Sequence, residues 1–317
     1  MDQEKSNSQR MIRANVLGDV RAESDSVMLD DAFFESPDYR TLIESDDRCV
    51  VVGRRGTGKS ALMYKLGQYF EKASNTRVVR VAPEEYEIIG LRHVAQRFGP
   101  NFRTIRAGMT IAWRYGLFME ICAVLQKSYR TKKQTEWAFL EQRLKSWSNP
   151  NSTLASRIGL ILSRIGAEAH SPEEMVGDLP RALELRDIEH NIRAVIEGTE
   201  QKVVLLMDRL DEGYQPDEIG IGLVDGLVQA ALEVKSKTGI IRPIVFLRDN
   251  VYRAIARQDP DYSRTIEGQT LRLYWDEYNL LNLTANRLRV AFKVAQEQKF
   301  KGLGQVRRSW VGRKRWI

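Results

Sequence analysis

Val50-Val51-Val52-Gly53-Arg54-Arg55-Gly56-Thr57-Gly58-Lys59-Ser60-Ala61 runs three β-branched residues into a glycine-rich turn that ends in Lys-Ser. An apolar periodic segment follows, with Leu62, Met63, Leu66, Tyr69 and Phe70. Gly53 to Ser60 fits G-x-x-x-x-G-K-[ST] in full, between a predicted strand and a predicted helix. Glycines let the backbone curl until consecutive N–H groups converge on an anion. The helix beginning near Lys59 adds its positive N-terminal end. Lys59 is a mobile charge for β/γ-phosphates, and the Ser60 hydroxyl is a ligand for Mg²⁺. Gly53, Arg54, Arg55, Gly56, Thr57, Gly58, Lys59, Ser60 and Ala61 are therefore the expected nucleotide-binding residues. An ordinary β-to-α turn has no reason to match every fixed position of the motif and both flanking elements.

Outward from this stretch, apolar runs alternate with helical patterns. Strands are expected at Cys49–Val52, Arg77–Val81, Val203–Met207, Ile240–Leu247 and Gln269–Trp275. Helices are expected from the P-loop to Lys72, at Ile221–Val234, at Val251–Arg257 and at Asp276–Gln298. This alternation predicts an α/β fold with a parallel sheet. Met28–Ile43, broken by Ser36-Pro37, reads as one or two short helices beside the nucleotide site. From Pro83 to Glu200 the pattern is helical, with Trp113, Tyr115, Leu117, Phe118, Ile121, Val124 and Leu125 on a helical repeat. Ser146–Thr153 is a loop, and Leu154–Ile165 and Leu183–Ile196 are further helices. The block is too long for a βα connection and reads as an inserted helical bundle. The expected organisation is a flexible lead-in at 1–28, an ATPase-type core at 29–83 and 200–275, the helical insertion at 84–199, a partial helical lid at 276–301 and a basic tail at 302–317.

Asp208 ends an apolar strand, where Mg²⁺ beside a P-loop needs a second anchor. A further carboxylate must orient or deprotonate the attacking water. Asp211 and Glu212 are the candidates, against the alternative of a solvated turn. Arg248 ends the neighbouring strand, where a cation senses a terminal phosphate or pairs with the opposing carboxylates. Lys59, Asp211, Glu212 and Arg248 form the expected catalytic set, and Ser60 and Asp208 the metal set. Competing readings are a non-hydrolysing nucleotide-binding scaffold, a small-molecule kinase, a GTPase and a nucleic-acid-linked ATPase. A kinase needs a basic lid that the insertion does not display, and the Asn-Lys-x-Asp base-reading sequence of GTPases is missing from the chain.

The 317 residues are 43% hydrophobic and 29% charged, the balance of a soluble globular protein. No apolar run reaches the roughly 18 residues of a membrane span, and MDQEKSNSQR lacks the apolar segment of a signal peptide. A cytoplasmic location without membrane partners is expected. Cys49 and Cys122 offer neither a disulfide framework nor metal spacing, and His93, His170 and His190 show no ligand pattern. Lys299 to Ile317 holds seven cations (Lys299, Lys301, Arg307, Arg308, Arg313, Lys314 and Arg315) and no carboxylate, which accounts for the whole net charge of +7. With Trp310 and Trp316 among them, this tail reads as a nucleic-acid arm, as a solvated terminus, or as a lid helix interrupted by foreign sequence.

The P-loop, Asp208-Arg209-Leu210-Asp211-Glu212 and Phe246-Leu247-Arg248 together resemble the STAND branch of AAA-related P-loop ATPases, nearest to the NACHT and KAP families. Phe33-Phe34-Glu35-Ser36-Pro37-Asp38-Tyr39 is similar to bacterial P-loop ATPases found in phage-defence contexts. The resemblance covers about residues 24–290. It implies a sheet in the order 5-1-4-3-2, binding and hydrolysis of ATP with Mg²⁺, and a nucleotide-dependent homo-oligomeric switch in bacterial defence or signalling. By the same resemblance Arg248 is a sensor and Arg264 a finger reaching a neighbouring subunit, while the lid arginine is unassigned, with Arg287 and Arg289 as candidates. Where AAA-type relatives place Glu directly after the strand aspartate, this chain has Arg209.

Overall fold

The computed structural model describes residues 17–19, 22, 24–148, 152–165, 171–259, 264 and 266–292. Five strands form one parallel sheet: β1 Val50–Gly53, β2 Thr76–Val81, β3 Lys202–Met207, β4 Ile241–Arg248 and β5 Thr270–Arg272. Their order is β2-β3-β4-β1-β5, which is the expected 5-1-4-3-2 sequence. The apolar runs become central strands because both faces are covered. Val50, Val52, Val203, Leu205, Met207, Val245 and Leu247 join the larger core on one face. Their alternates Val51, Val204, Leu206, Ile244 and Phe246 pack on the other. Register fixes what meets at the C-terminal edge. Gly53 lies level with Arg248, and Val81 with Met207.

The lead-in supplies α1 Ser26–Ala32 and α2 Pro37–Glu44, and α3 Lys59–Glu71 follows the P-loop. The long excursion between β2 and β3 contains α4 Glu85–Ala95, α5 Phe102–Leu125, α6 Tyr129–Lys132, α7 Trp137–Trp147, α8 Leu154–Ile165, α9 Pro172–Ala182 and α10 Leu185–Thr199. After β3 come α11 Glu218–Thr238, α12 Asp249–Gln258 and α13 Glu277–Ala291. Two segments differ from expectation, and a third runs outside the described residues. The helix expected at Leu183–Ile196 starts at Leu185, because Ala182 closes a separate helix, α9, that carries Pro180 inside it. The last strand is only Thr270–Arg272, so Trp275 leaves the sheet and becomes available elsewhere. The helix expected to reach Gln298 is described only as far as Ala291.

The insertion is joined to the core through α5 and α11. Glycines make this close approach possible: a Cβ on Gly226 would stand 2.8 Å from the Met109 Cβ. By length and composition α5 could cross a membrane, but 78% of its apolar window is buried inside the fold. Residues 1–16 of the lead-in, His170 and the basic tail with its two tryptophans lie outside the described residues.

Candidate functional site

The site begins with backbone. Gly56 and Gly58 have φ of 83° and 84°, in the left-handed region that a side chain disfavours. Gly58 is the N-cap of α3 and gives it no side-chain cap, so the first N–H groups of the helix are left for a ligand. Thr57 closes the loop with its hydroxyl, which donates to Arg54 O at 2.9 Å. Lys59 lies along the inside of the loop, its Nζ donating to Gly53 O at 2.8 Å and Arg54 O at 2.9 Å. Burial pushes its pKa down, while Asp211 and Asp208 pull it back up. Arg54 and Arg55 are exposed on the loop's outer side, and Ala61 is half-buried in the first turn of α3.

The fold brings the second half of the site across 148 residues of chain. Ser60 Oγ donates to Asp208 Oδ2 at 2.6 Å. Asp208 is 5% exposed, a depth at which a carboxylate needs a partner. A hydroxyl and a carboxylate are hard oxygen donors, and two such protein ligands suit Mg²⁺, which keeps water and substrate oxygens for its other positions. Among the described residues no cluster of three or more His, Cys, Asp or Glu could hold a metal by itself. Ser60 and Asp208 therefore fit an ion shared with a substrate phosphate.

Asp211 and Glu212, adjacent in sequence, face different surroundings. The Asp211 side chain is 6% exposed and forms an ion pair with Arg248 Nε. Burial raises the Asp211 pKa; Arg248 and Lys59 oppose that rise, and Asp208 adds to it. Glu212 is 34% exposed and lies 3.9 Å from Arg209. Its pKa is also raised, first by burial, with Arg209 opposing. Arg209 occupies the left-handed region, φ 60°, and directs its guanidinium to Glu84 at 3.7 Å as well. Thus Asp208, Asp211, Lys59 and Arg248 converge electrostatically, and Glu212 belongs to an outer set with Arg209 and Glu84.

Arg287 pairs with Asp25 at 2.9 Å, and Arg289 donates to Asp31 O at 3.5 Å. Both tie α13 to the lead-in helix α1. Arg264 is exposed before β5. Two aromatic residues not singled out for the site in the sequence also stand at the loop. Trp275 Nε1 donates to Thr57 O at 3.0 Å, and its ring lies 6.3 Å from that of Phe34. Phe33-Phe34 was visible as an aromatic pair, but Trp275 was expected as the last residue of a strand, and it reaches the loop because β5 ends at Arg272.

No family model matches the chain, and no solved structure matches it. It is 43% identical over 287 residues to the 80.3 kDa protein named for transposon gamma-delta in Escherichia coli K12, a match covering 90% of this chain and 41% of that one. A 53-residue segment, 17% of the chain, is 53% identical to 28% of the Alternaria alternata protein called Allergen Alt a 2. The chain thus spans less than half the length of the gamma-delta relative, to which it is homologous and with which it shares no assigned family.

Proposed function

We propose that the protein binds Mg·ATP in the Gly53–Ala61 loop and hydrolyses its terminal anhydride, working as a nucleotide-driven switch of the STAND type that self-associates when loaded. The observation that carries this reading is the Ser60–Asp208 contact beneath a buried Lys59. A full P-loop motif is common to many chemistries. A serine of the motif meeting a buried strand-end carboxylate supports this reading, because those two oxygens are the donors that a phosphate-bound Mg²⁺ would need from the protein.

Bound Mg²⁺ would neutralise charge developing on the phosphoryl oxygens. The chain's own residues do the rest. Loop N–H groups and Lys59 hold the β- and γ-phosphates. Arg248 stabilises the terminal phosphate while remaining beside Asp211. Asp211 accepts the proton of the attacking water as its oxygen bonds to the γ-phosphorus and the bond to the β-bridging oxygen breaks, leaving ADP and phosphate. Homology to a transposon-named protein supports a role within a mobile element or a bacterial response to one. The test is Lys59→Ala with titration calorimetry in Mg²⁺. Wild type is expected to bind ATP, and the variant to lose at least tenfold in affinity; equal affinity removes the reading.

A further inference from the structure

The phosphate cradle has a direction, and the topology sets it. Along the strand ends the order is β3, β4, β1, β5. The charged groups occupy one side: Asp208 follows β3, and Arg248, which holds Asp211, ends β4. The P-loop follows β1, and Trp275 comes just after β5 on the opposite side. A nucleoside triphosphate whose terminal phosphate points to Ser60, Asp208 and Arg248 must send its nucleoside toward β5.

What waits there is aromatic. The Trp275 indole N–H is already spent on Thr57 O at 3.0 Å, which fixes the ring against the loop. Phe34 backs it, with centroids 6.3 Å apart and planes tilted by 41°. That spacing is an aromatic pair in contact, so a third ring stacks on its outer face and does not enter between the two. Both rings are half-buried and keep part of their surface open. Phenylalanine has no hydrogen-bonding atom, and the one donor of Trp275 is occupied. The pair can offer a base a π-face and nothing that reads its edge.

We propose that Trp275, braced by Phe34, is the platform on which the nucleoside base stacks, and that the site accepts adenine and guanine nucleotides with similar affinity. This rests on the nucleotide reading of the P-loop. It adds the base-binding residues and a base tolerance that the loop alone does not imply.

The experiment compares Mg²⁺ complexes of ATP, GTP and inorganic tripolyphosphate on the full chain. Wild type is expected to bind ATP and GTP within about threefold of each other, and tripolyphosphate more weakly. Base–aromatic stacking sets the expected loss for Trp275→Leu at roughly 5- to 150-fold on both nucleotides, with tripolyphosphate unchanged. Trp275→Phe, which keeps a ring and loses the N–H, is expected to retain most nucleotide affinity, and Phe34→Leu to show a smaller loss with the same selectivity. Equal losses on tripolyphosphate and ATP would make Trp275 a brace of the loop and overturn the platform. Unchanged ATP affinity in Trp275→Leu overturns it too, as does a strong wild-type preference for one base. Failure of the wild type to bind even tripolyphosphate overturns the nucleotide site itself, which separates that failure from a failure of the platform.

Discussion

Lys59, Asp208 and Asp211 illustrate how much of a site one residue's surroundings decide. Asp211 and Glu212 are adjacent and chemically alike, and their spacing from Asp208 gives no means to choose between them. Burial and the Arg248 ion pair place Asp211 with Lys59 and Asp208, while Glu212 faces Arg209 and partial solvent. Asp211→Asn is therefore expected to lower ATP turnover by roughly 10²- to 10⁴-fold, the range of a lost general base, with nucleotide affinity retained. Glu212→Gln is expected to stay within a few-fold of wild type. Because burial raises the Asp211 pKa, and the base works only when deprotonated, turnover should fall as pH drops through a value higher than that of an ordinary aspartate. A pH–rate profile together with both variants checks this; a dead Glu212→Gln with an active Asp211→Asn reverses the assignment. The strand-end positions of the Gly53–Gly58 loop, Asp208 and Arg248 were legible from sequence, since each follows or closes an apolar run. The aromatic side of the site was not, because Trp275 and Thr57 are brought together by a strand shorter than its apolar pattern suggested.

Elements were legible where their burial leaves a pattern in the sequence. The central strands β1, β3 and β4 announced themselves as apolar runs and β2 by alternation, and their order followed from the resemblance. The individual helices of the insertion were harder to separate. In α5, residues 112–119 from Ala112 to Met119 are all buried, so no polar face marks a period. The seam between α5 and α11 also hides a charge. Asp225 on α11 is 0% exposed, and among the described residues neither carboxylate oxygen has a partner within normal hydrogen-bond distance. Arg106 of α5 stands 3.7 Å away and pairs more closely with Asp259, the residue after α12. Burial, only partly offset by Arg106, pushes the Asp225 pKa up to about 7, and Asp259 adds to the rise. A carboxyl whose folded pKa exceeds its unfolded value binds more protons when folded. Its contribution is thus intact below about pH 4, is lost as pH climbs to about 7, and stays lost above. Asp225→Asn is expected to flatten that decline and to stabilise the protein at pH 8 by roughly 2–4 kcal/mol relative to wild type. Denaturant melts at pH 5 and pH 8 measure it; parallel pH dependence in the two proteins would mean that Asp225 stays ionised.

At the scale of the whole molecule, the charge is divided between a neutral body and a cationic end. The seven cations between 299 and 317 equal the net charge of +7, leaving residues 1–298 balanced. The groups of the candidate nucleotide site all lie within that balanced part, on the C-terminal edge of the sheet and in the loop after β1. Long-range attraction for a polyanion scales with net charge and is screened beyond roughly 8–10 Å at physiological salt. On this physics a cation-rich end would govern any nonspecific contact with nucleic acid, while affinity for a nucleotide at the proposed site would be set by short-range groups in the loop. Deleting residues 299–317 should consequently leave the ATP dissociation constant within about twofold and remove whatever retention of duplex DNA the full chain shows. Engagement of all seven cations would give a log–log salt slope of roughly −6 in the full chain. Measuring DNA binding of both proteins from low to physiological salt decides the matter. A truncated protein that keeps the same slope locates the contact on the balanced body, and one that loses ATP affinity shows that the tail reaches the nucleotide site.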